Sequence, residues 1–304
     1  MRAARFAAAS VTLALTAGMT GCSTESDDRP LIVVTTNILG DIVQEVAADE
    51  FEVVTLMPPG ADPHSFEISA QEAARMRAAD LLVSNGLGLE EGLAQHLDTA
   101  ASEGVELFVA GDNLEAIAYS DESANGALDP HVWTDPERVV DIVDALTPVL
   151  ADIEGADAAT LAESSENYLA EIAELDAEMT EAFASIPDDR RALVTNHHVF
   201  GYLAERFDFR IVGAVVPGGT TLAAPSASDL RDLVAAIDEA GVPTIFAESS
   251  QPDRLVQVLA SEADRDVAVT ELVTESLTTP DEGADSYLSM MRINTERIAT
   301  GLSL

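Results

Sequence analysis

The stretch 156–186, ADAATLAESSENYLAEIAELDAEMTEAFASI, decides the fold. Its apolar residues recur at mixed three- and four-residue steps, acidic residues fill many other positions, and neither Gly nor Pro interrupts it. This spacing predicts one amphipathic helix. About 30 residues at ~1.5 Å each would extend ~45 Å, the width of a domain or more. We expect a rigid helix that joins two parts of the molecule, because helices kink mainly at Pro, at Gly or at bulges.

Short apolar runs alternate with helical patterns on both sides of that stretch. Alternation of this kind is typical of parallel sheets covered by helices. The sequence therefore predicts an α/β protein with two parallel-sheet lobes, 31–155 and 187–304, joined by the long helix 156–186. The strands are predicted at 31–35, 51–56, 81–84, 105–110, 192–195, 210–215, 244–247 and 267–272, and the remaining helices at 37–48, 69–79, 136–150, 199–207, 227–240, 252–263 and 284–302.

The beginning of the chain carries a targeting pattern. Two arginines precede an apolar run at 6–15, and small residues then lead to Cys22. The run is typical of a secretory signal and is too short to span a bilayer. Cys22 resembles the lipidated Cys of bacterial lipoproteins, although Met19 stands where Leu is usual. We predict a signal peptide at 1–22, a polar tether at 23–30, and a chain anchored to the outer face of the cell membrane by lipid on Cys22. The alternative is an ordinary cleaved signal.

Charge and Cys content narrow the possible partners. The chain has 55 acidic and 15 basic residues, and every basic residue is Arg. A formal net charge of −40 repels nucleic acid, so no nucleic-acid partner is expected. We interpret the acidity as a solvated surface and not as a metal site. The single Cys excludes an intramolecular disulfide and a Cys-based metal cluster, and we expect a monomer.

Three of the four places where His occurs lie where strands or chain breakers lead into loops. His64 and His131 each stand in an Asp-Pro-His triplet, and His197 follows a predicted strand. Ligands of open α/β sheets bind at the edge where strands end, and Pro fixes the backbone next to the imidazole. We therefore expect these three imidazoles to be candidate metal ligands, with Asp62 and Asp129 as acceptors that orient the rings.

A carboxylate would complete a set of four ligands. Glu275 is the first candidate, because it follows a predicted strand at the same kind of loop, and Glu248 is the second. Three imidazoles and one carboxylate form a closed set that suits zinc, and the carboxylate extends the range towards manganese. His198 is expected beside the site or towards solvent, and His96 on an exposed helix face.

Four segments resemble the motifs of one family, the zinc and manganese receptors of bacterial ABC importers. They are DPHSFE at 62–67, DPHVWTDP at 129–136, NHHVFGYL at 196–203, and ESL at 275–277 followed by GADSYL at 283–288 and MMRIN at 290–294. The resemblance runs from about Leu31 to Leu304. It implies two α/β lobes, a spanning helix and an ion buried between the lobes. It also implies that His197 and not His198 binds the metal.

Two departures from the family pattern concern the choice of metal. Glu275 stands where the family usually has Asp, and its extra methylene changes the reach of the carboxylate. Many zinc members carry a His-rich loop before the second motif, whereas 112–128 contains no His.

The expected function is capture of a divalent transition metal, zinc in preference to manganese, and its delivery to the permease of an ABC importer. A manganese-specific receptor and a metal-binding adhesion protein are alternatives. A metallohydrolase would need an open coordination position and a general base. The chain has neither a His-Glu-x-x-His motif nor a Gly-x-Ser-x-Gly motif, so we do not expect an enzyme.

Release of the ion is expected to come from loops, because the long helix offers no hinge. The alternative is a kink in that helix that opens the lobes as rigid bodies. Candidate loops contain Pro or Gly at 58–60, 217–219 and 278–283. Glu275 borders the last of these, so it is the ligand expected to leave first.

Overall fold

The structure, a computed structural model, describes residues 29–120 and 124–303. The predicted signal peptide, Cys22 and most of the predicted tether lie outside the described residues. Among the helices that it does describe, none combines the length and the apolar character needed to cross a membrane.

The first lobe is built on a four-stranded parallel sheet. Its strands lie in the order β2-β1-β3-β4, with Ile32 of β1 opposite Val53 of β2 and opposite Leu81 of β3. The elements are β1 (Leu31–Val34), α1 (Asn37–Ala47), β2 (Glu52–Thr55), α2 (Ala70–Ala78), β3 (Leu81–Ser84), α3 (Ala94–Ser102), β4 (Glu106–Val109) and α4 (Pro136–Ala151).

The second lobe repeats this architecture. Its four parallel strands lie in the order β6-β5-β7-β8, and the register between β5 and β6 shifts at Leu193/Val194. Ligand-carrying loops are expected at the carboxyl ends of such strands. The elements are β5 (Ala192–Thr195), α6 (Gly201–Phe207), β6 (Arg210–Ala214), α7 (Ala227–Ala240), β7 (Thr244–Glu248), α8 (Arg254–Glu262), β8 (Ala268–Leu272) and α9 (Tyr287–Leu302).

The long connecting helix is α5 (Ala158–Ala184), with 27 residues. The Asp157 side chain caps it by accepting hydrogen bonds from the backbone N–H groups of Ala159 and Thr160. The buried positions follow the helical period and form one stripe. That stripe packs against α1 and α4 of the first lobe and against α9 of the second. The stripe consists of Leu161, Ser165, Tyr168, Ile172, Leu175, Met179 and Phe183.

One continuous core cluster follows from this packing, since α5 contributes apolar residues to a cluster that includes Ile32 of β1 and Leu302 of α9. The prediction of two parallel-sheet lobes joined by a long helix is confirmed. The limits proposed for the lobes, 31–155 and 187–304, stay predictions.

The predicted bounds omit one helix, on which His96 was nevertheless expected to lie. Four helix starts were placed two or three residues too early, because α5, α6, α8 and α9 begin at Ala158, Gly201, Arg254 and Tyr287. The missed helix is α3, in which only Ala100 is buried, so it has little apolar spacing. The start of α9 lies at Tyr287 and not at 284, because Ser286 caps it through a capping box with Ser289. The helix α6 starts at Gly201 instead of 199.

Candidate metal site

Four polar side chains meet between the lobes. His64, from the loop after β2, and His131, from the loop after β4, belong to the first lobe, while His197 follows β5 and Glu275 follows β8 in the second. Each residue offers one ligand atom, and these atoms all lie within 4.8 Å of one another. The structure therefore brings together the four residues that the sequence predicts as ligands.

The spacing of the ligand atoms fits a single ion at their centre. The Nε2 atom of His131 lies 3.4 Å from that of His64 and 3.3 Å from that of His197. The Oε1 atom of Glu275 lies 3.4 Å from His131 Nε2, and its Oε2 atom lies 3.5 Å from His64 Nε2. Zinc bonds of ~2.1 Å in a regular tetrahedron separate the ligand atoms by about 3.4 Å. These four distances, and the 3.6 Å between His197 Nε2 and Glu275 Oε1, are close to that spacing.

Burial gives this cluster of polar groups an unfavourable free energy when no cation is bound. The exposed fraction of each of the four residues is 2% or less. Both carboxylate oxygens of Glu275 are buried and have no hydrogen-bond partner among the described residues. Burial raises the pKa of Glu275 to about 8. Burial, with the neighbouring imidazoles, lowers the pKa of His64 to about 3 and that of His131 well below its usual value.

Asp129 is hydrogen-bonded to both the ring and the backbone of His131. The ring Nδ1–H donates a hydrogen bond of 2.7 Å to Asp129 Oδ1, and the backbone N–H of His131 donates another of 2.9 Å. A donor at Nδ1 leaves Nε2 with a lone pair for the ion. Gly201 makes room for this carboxylate, because a Cβ there would lie 2.3 Å from Asp129 Oδ2.

Glu248 has the same relation to His197. Its Oε1 accepts hydrogen bonds from the His197 ring at Nδ1 and from the His197 backbone N–H. The alternative that Glu248 is a ligand is therefore not favoured, because it contacts the ring nitrogen that faces away from the other ligands. Burial disfavours a charged His197 ring, but the carboxylates of Glu248 and Glu275 outweigh burial and raise its pKa to about 9.

Asp62 contacts the backbone of its neighbouring His, whereas Asp129 contacts the ring as well. Its Oδ1 accepts a hydrogen bond of 2.9 Å from the backbone N–H of His64, so it fixes the backbone and not the ring. Its Oδ2 accepts hydrogen bonds from the second lobe, from Thr221 Oγ1 at 2.7 Å and from Gln251 Nε2 at 2.8 Å. The expectation that Asp62 orients the imidazole is wrong in this respect, and the carboxylate instead ties the lobes together.

The remaining His residues lie outside the four-residue group. His198 is buried, with an exposed fraction of 8%, so it is not turned to solvent. His96 lies on α3 as expected, but it is half-buried and not exposed.

The segment that carries Glu275 is fixed at several points. Asn294 of α9 bonds both backbone groups of Val273, at 2.9 and 2.6 Å. Trp133 Nε1 donates a 2.9 Å hydrogen bond to the Thr274 carbonyl. The backbone N–H of Leu277 donates a 2.9 Å hydrogen bond to Asn37 Oδ1. These contacts argue against the expectation that Glu275 leaves first.

Three residues near the site were missed by sequence reasoning. Thr221 and Gln251 contact Asp62 across the lobes, and Tyr119 lies with its ring centroid 6.1 Å from that of His131. The only sequence signal was the breaker Pro217-Gly218-Gly219, which marks the loop that includes Thr221. Tyr119 stands in the segment 112–128, which offered no pattern of its own.

Residues 32–301 match the family ZnuA, described as zinc-uptake complex component A, periplasmic. The chain belongs to this family. The resemblance that the sequence motifs indicated is thereby confirmed, and the match covers both lobes and α5.

Relatives of this ZnuA-family chain include proteins named for different metals. PsaA of Streptococcus pneumoniae, a manganese ABC transporter substrate-binding lipoprotein, is 28% identical over 291 residues, 93% of this chain and 92% of PsaA. The zinc-binding protein TroA of Treponema pallidum is 28% identical over 282 residues, 91% of this chain and 90% of TroA. The solved structure of periplasmic zinc-binding TroA superposes with a TM-score of 0.83 at 26% identity, covering 90% of this chain and 99% of TroA.

The adjacent residues His197 and His198 allow a direct test of the ligand assignment. His197→Ala removes a candidate ligand, so we expect zinc binding to weaken by more than the roughly 10- to 100-fold that is typical of a group that only supports a ligand. His198→Ala should weaken binding less. Competitive titration against a chelator of known affinity measures both. Equal losses would contradict the assignment, and circular dichroism would show whether either variant is unfolded.

Metal binding by this ZnuA-family chain should release protons. Glu248 and Glu275 raise the pKa of His197 to about 9, and burial raises that of Glu275 to about 8, so this contacting pair holds at least one proton at neutral pH, which the ion must displace. Affinity should therefore rise with pH and level off above these values. Calorimetry in buffers of different ionisation enthalpy should show about one or more protons released per ion near pH 7. No proton release would contradict this protonation state.

Proposed function

We propose that this protein is an extracytoplasmic receptor that captures a divalent transition metal and hands it to an ABC importer. The observation that carries the proposal is the buried group of His64, His131, His197 and Glu275 between the lobes. The carboxylate in that group has no hydrogen-bond donor among the described residues, so a bound cation would satisfy it. PsaA and TroA, which the chain resembles over nine-tenths of its length, are named as a transporter substrate-binding lipoprotein and a zinc-binding protein.

Zinc is the favoured cargo. Three imidazoles suit zinc better than a hard cation, and spacings of 3.3 to 3.5 Å between ligand atoms fit tetrahedral zinc. Manganese is the second candidate, because both oxygens of Glu275 face imidazole nitrogens and a bidentate carboxylate would raise the coordination number. PsaA, a relative of comparable identity, is named for manganese.

Capture and release suit this ligand set better than catalysis does. A catalytic zinc site keeps one coordination position for water or substrate. Here four candidate ligands from the protein lie within 4.8 Å of one another, and each is almost fully buried. We therefore propose a receptor that acts as a monomer with no enzymatic step of its own.

The proposed receptor function predicts the metal content of the purified protein and the effect of a ligand substitution on metal uptake. Protein purified without added metal should contain close to one transition-metal ion per chain, mainly zinc, by elemental analysis. Glu275→Gln keeps the shape of the side chain but removes its charge, so it should lower affinity and abolish receptor-dependent uptake of labelled zinc by cells that express the importer. Glu174→Gln, an exposed position on α5, controls for net charge.

Two results would contradict the proposal. The first is wild-type protein that binds neither zinc nor manganese, and the second is uptake that is the same with wild type and Glu275→Gln. A higher affinity for manganese than for zinc would retain the receptor and change its cargo.

Anchoring through Cys22 gives a separate prediction. We propose that lipid on Cys22 is the membrane attachment, with 23–30 as the tether. Cys22→Ser should move the protein from the membrane fraction to the medium or periplasm and should remove the lipid mass from the N-terminal peptide by mass spectrometry. Wild-type protein with an unmodified N-terminal peptide would contradict the anchor without affecting the metal site.

A further inference from the structure

The buried ligands need a path by which the ion reaches solvent. Two described cavities are lined by a ligand. One, of about 300 Å³, is lined by His197 and Glu248 and by second-lobe residues only. The other, of about 510 Å³, lies between the lobes. We call it the mouth cavity. Its lining includes His64 and Tyr119 of the first lobe and the loop 217–220 of the second.

The mouth cavity is the better path for geometric reasons. It reaches His64, and its walls come from both lobes, so parting of the lobes' loops would widen it. The smaller cavity is lined by His197 and by Glu248, which contacts the Nδ1 side of the ring, and by no residue of the first lobe.

Tyr119 of the first lobe lines the mouth cavity and contacts the second lobe there. Its hydroxyl donates a 2.6 Å hydrogen bond to the carbonyl of Gly219. Its ring packs so closely that a Cβ on Gly219 would lie 2.1 Å from a ring carbon. Gly218, the preceding residue, has a φ of +83°, a conformation that suits glycine. The loop 217–220 therefore reaches Tyr119 only because it is built from small residues at these two positions.

The two sides of this contact differ in how firmly they are held. Tyr119 belongs to a small antiparallel pairing, in which its backbone N–H donates to the Ala127 carbonyl at 3.0 Å and that of Asp129 donates to the Ile117 carbonyl at 2.8 Å. The loop 217–220 lies beyond the end of β6, outside the parallel sheet. Thr221, at the end of that loop, is the next tie to the first lobe, through Asp62.

We propose that the ion enters and leaves through the mouth cavity and that the contact between Tyr119 and Gly219 is the latch that sets the rate of ion release. Tyr119 is a positioning residue, because it acts on the loop 217–220 and not on the ion. The segment around Glu275 stays in place, fixed by Asn294, Trp133 and Asn37. This inference rests on the proposed metal-receptor function.

The first test compares two hydroxyl-to-glycine hydrogen bonds of equal length. Tyr119→Phe keeps the ring and removes the latch hydrogen bond. Thr244→Val removes a 2.6 Å hydrogen bond from Thr244 Oγ1 to the Gly301 carbonyl. Thr244 is the first residue of β7, at the amino end of the strand, whereas the candidate ligands follow the carboxyl ends of strands. Zinc release is followed by stopped flow after mixing zinc-loaded protein with excess chelator. We expect release about fivefold or more faster for Tyr119→Phe and unchanged for Thr244→Val.

The second test uses the close approach of ring and backbone. Gly219→Ala should speed both release and uptake, because the added methyl cannot fit beside the Tyr119 ring. In a Tyr119→Ala background the same substitution should have little further effect, since the clash is gone. This non-additivity is the signature of a direct contact in a double-mutant cycle.

The latch is overturned if Tyr119→Phe and Gly219→Ala both release zinc at the wild-type rate, or if Thr244→Val accelerates release as much as Tyr119→Phe. Additive effects of the Tyr119 and Gly219 substitutions would also overturn it. Each of these outcomes requires protein that binds zinc. Wild-type protein that binds no transition metal would instead refute the receptor function.

Discussion

Burial of the Glu275 carboxylate without a hydrogen-bond donor is the constraint on which the site depends. An unpaired carboxylate in the interior costs several kcal/mol unless it takes up a proton or meets a cation. The neighbouring imidazoles of His64 and His131 do not supply that cation themselves, because burial keeps them neutral. The ring of His197, whose pKa is raised to about 9, is the one cationic neighbour, and its Nε2 lies 3.6 Å from Glu275 Oε1, outside hydrogen-bonding distance. A divalent ion at the centre of the cluster would replace this single long contact.

Support for the ligands is divided between rigid and adjustable parts of the structure. The helix α5 shares one core cluster with both lobes, so we expect the ends of their strands to stay opposed. Carboxylates behind His131 and His197 fix the two rings. The loop 217–220 is the adjustable part. It contacts the first lobe through the hydrogen bond from the Tyr119 hydroxyl and through close packing of the Tyr119 ring on Gly219.

Sequence reasoning reached the fold and the four residues that meet between the lobes, because both have local signatures. The stripe of α5 follows the helical period, and the Asp-Pro-His triplets place two imidazoles next to a fixed backbone. The two-lobe role of Asp62 and the latch at Tyr119 have no such signature, since each is a contact between residues roughly 100 or more positions apart. The same limit applies to the pKa of His197, which depends on Glu248 from another strand.

The division of the ligands between lobes has a consequence for how the protein is made. Each lobe holds two of the four ligands, and the first lobe precedes the second along the chain. Two ligands bind an ion far more weakly than four, so a chain that has only its first lobe folded is a poor competitor for metal. Cargo would then be acquired only after the last helix, α9, has docked. A nascent or truncated chain would leave the local pool of metal almost untouched.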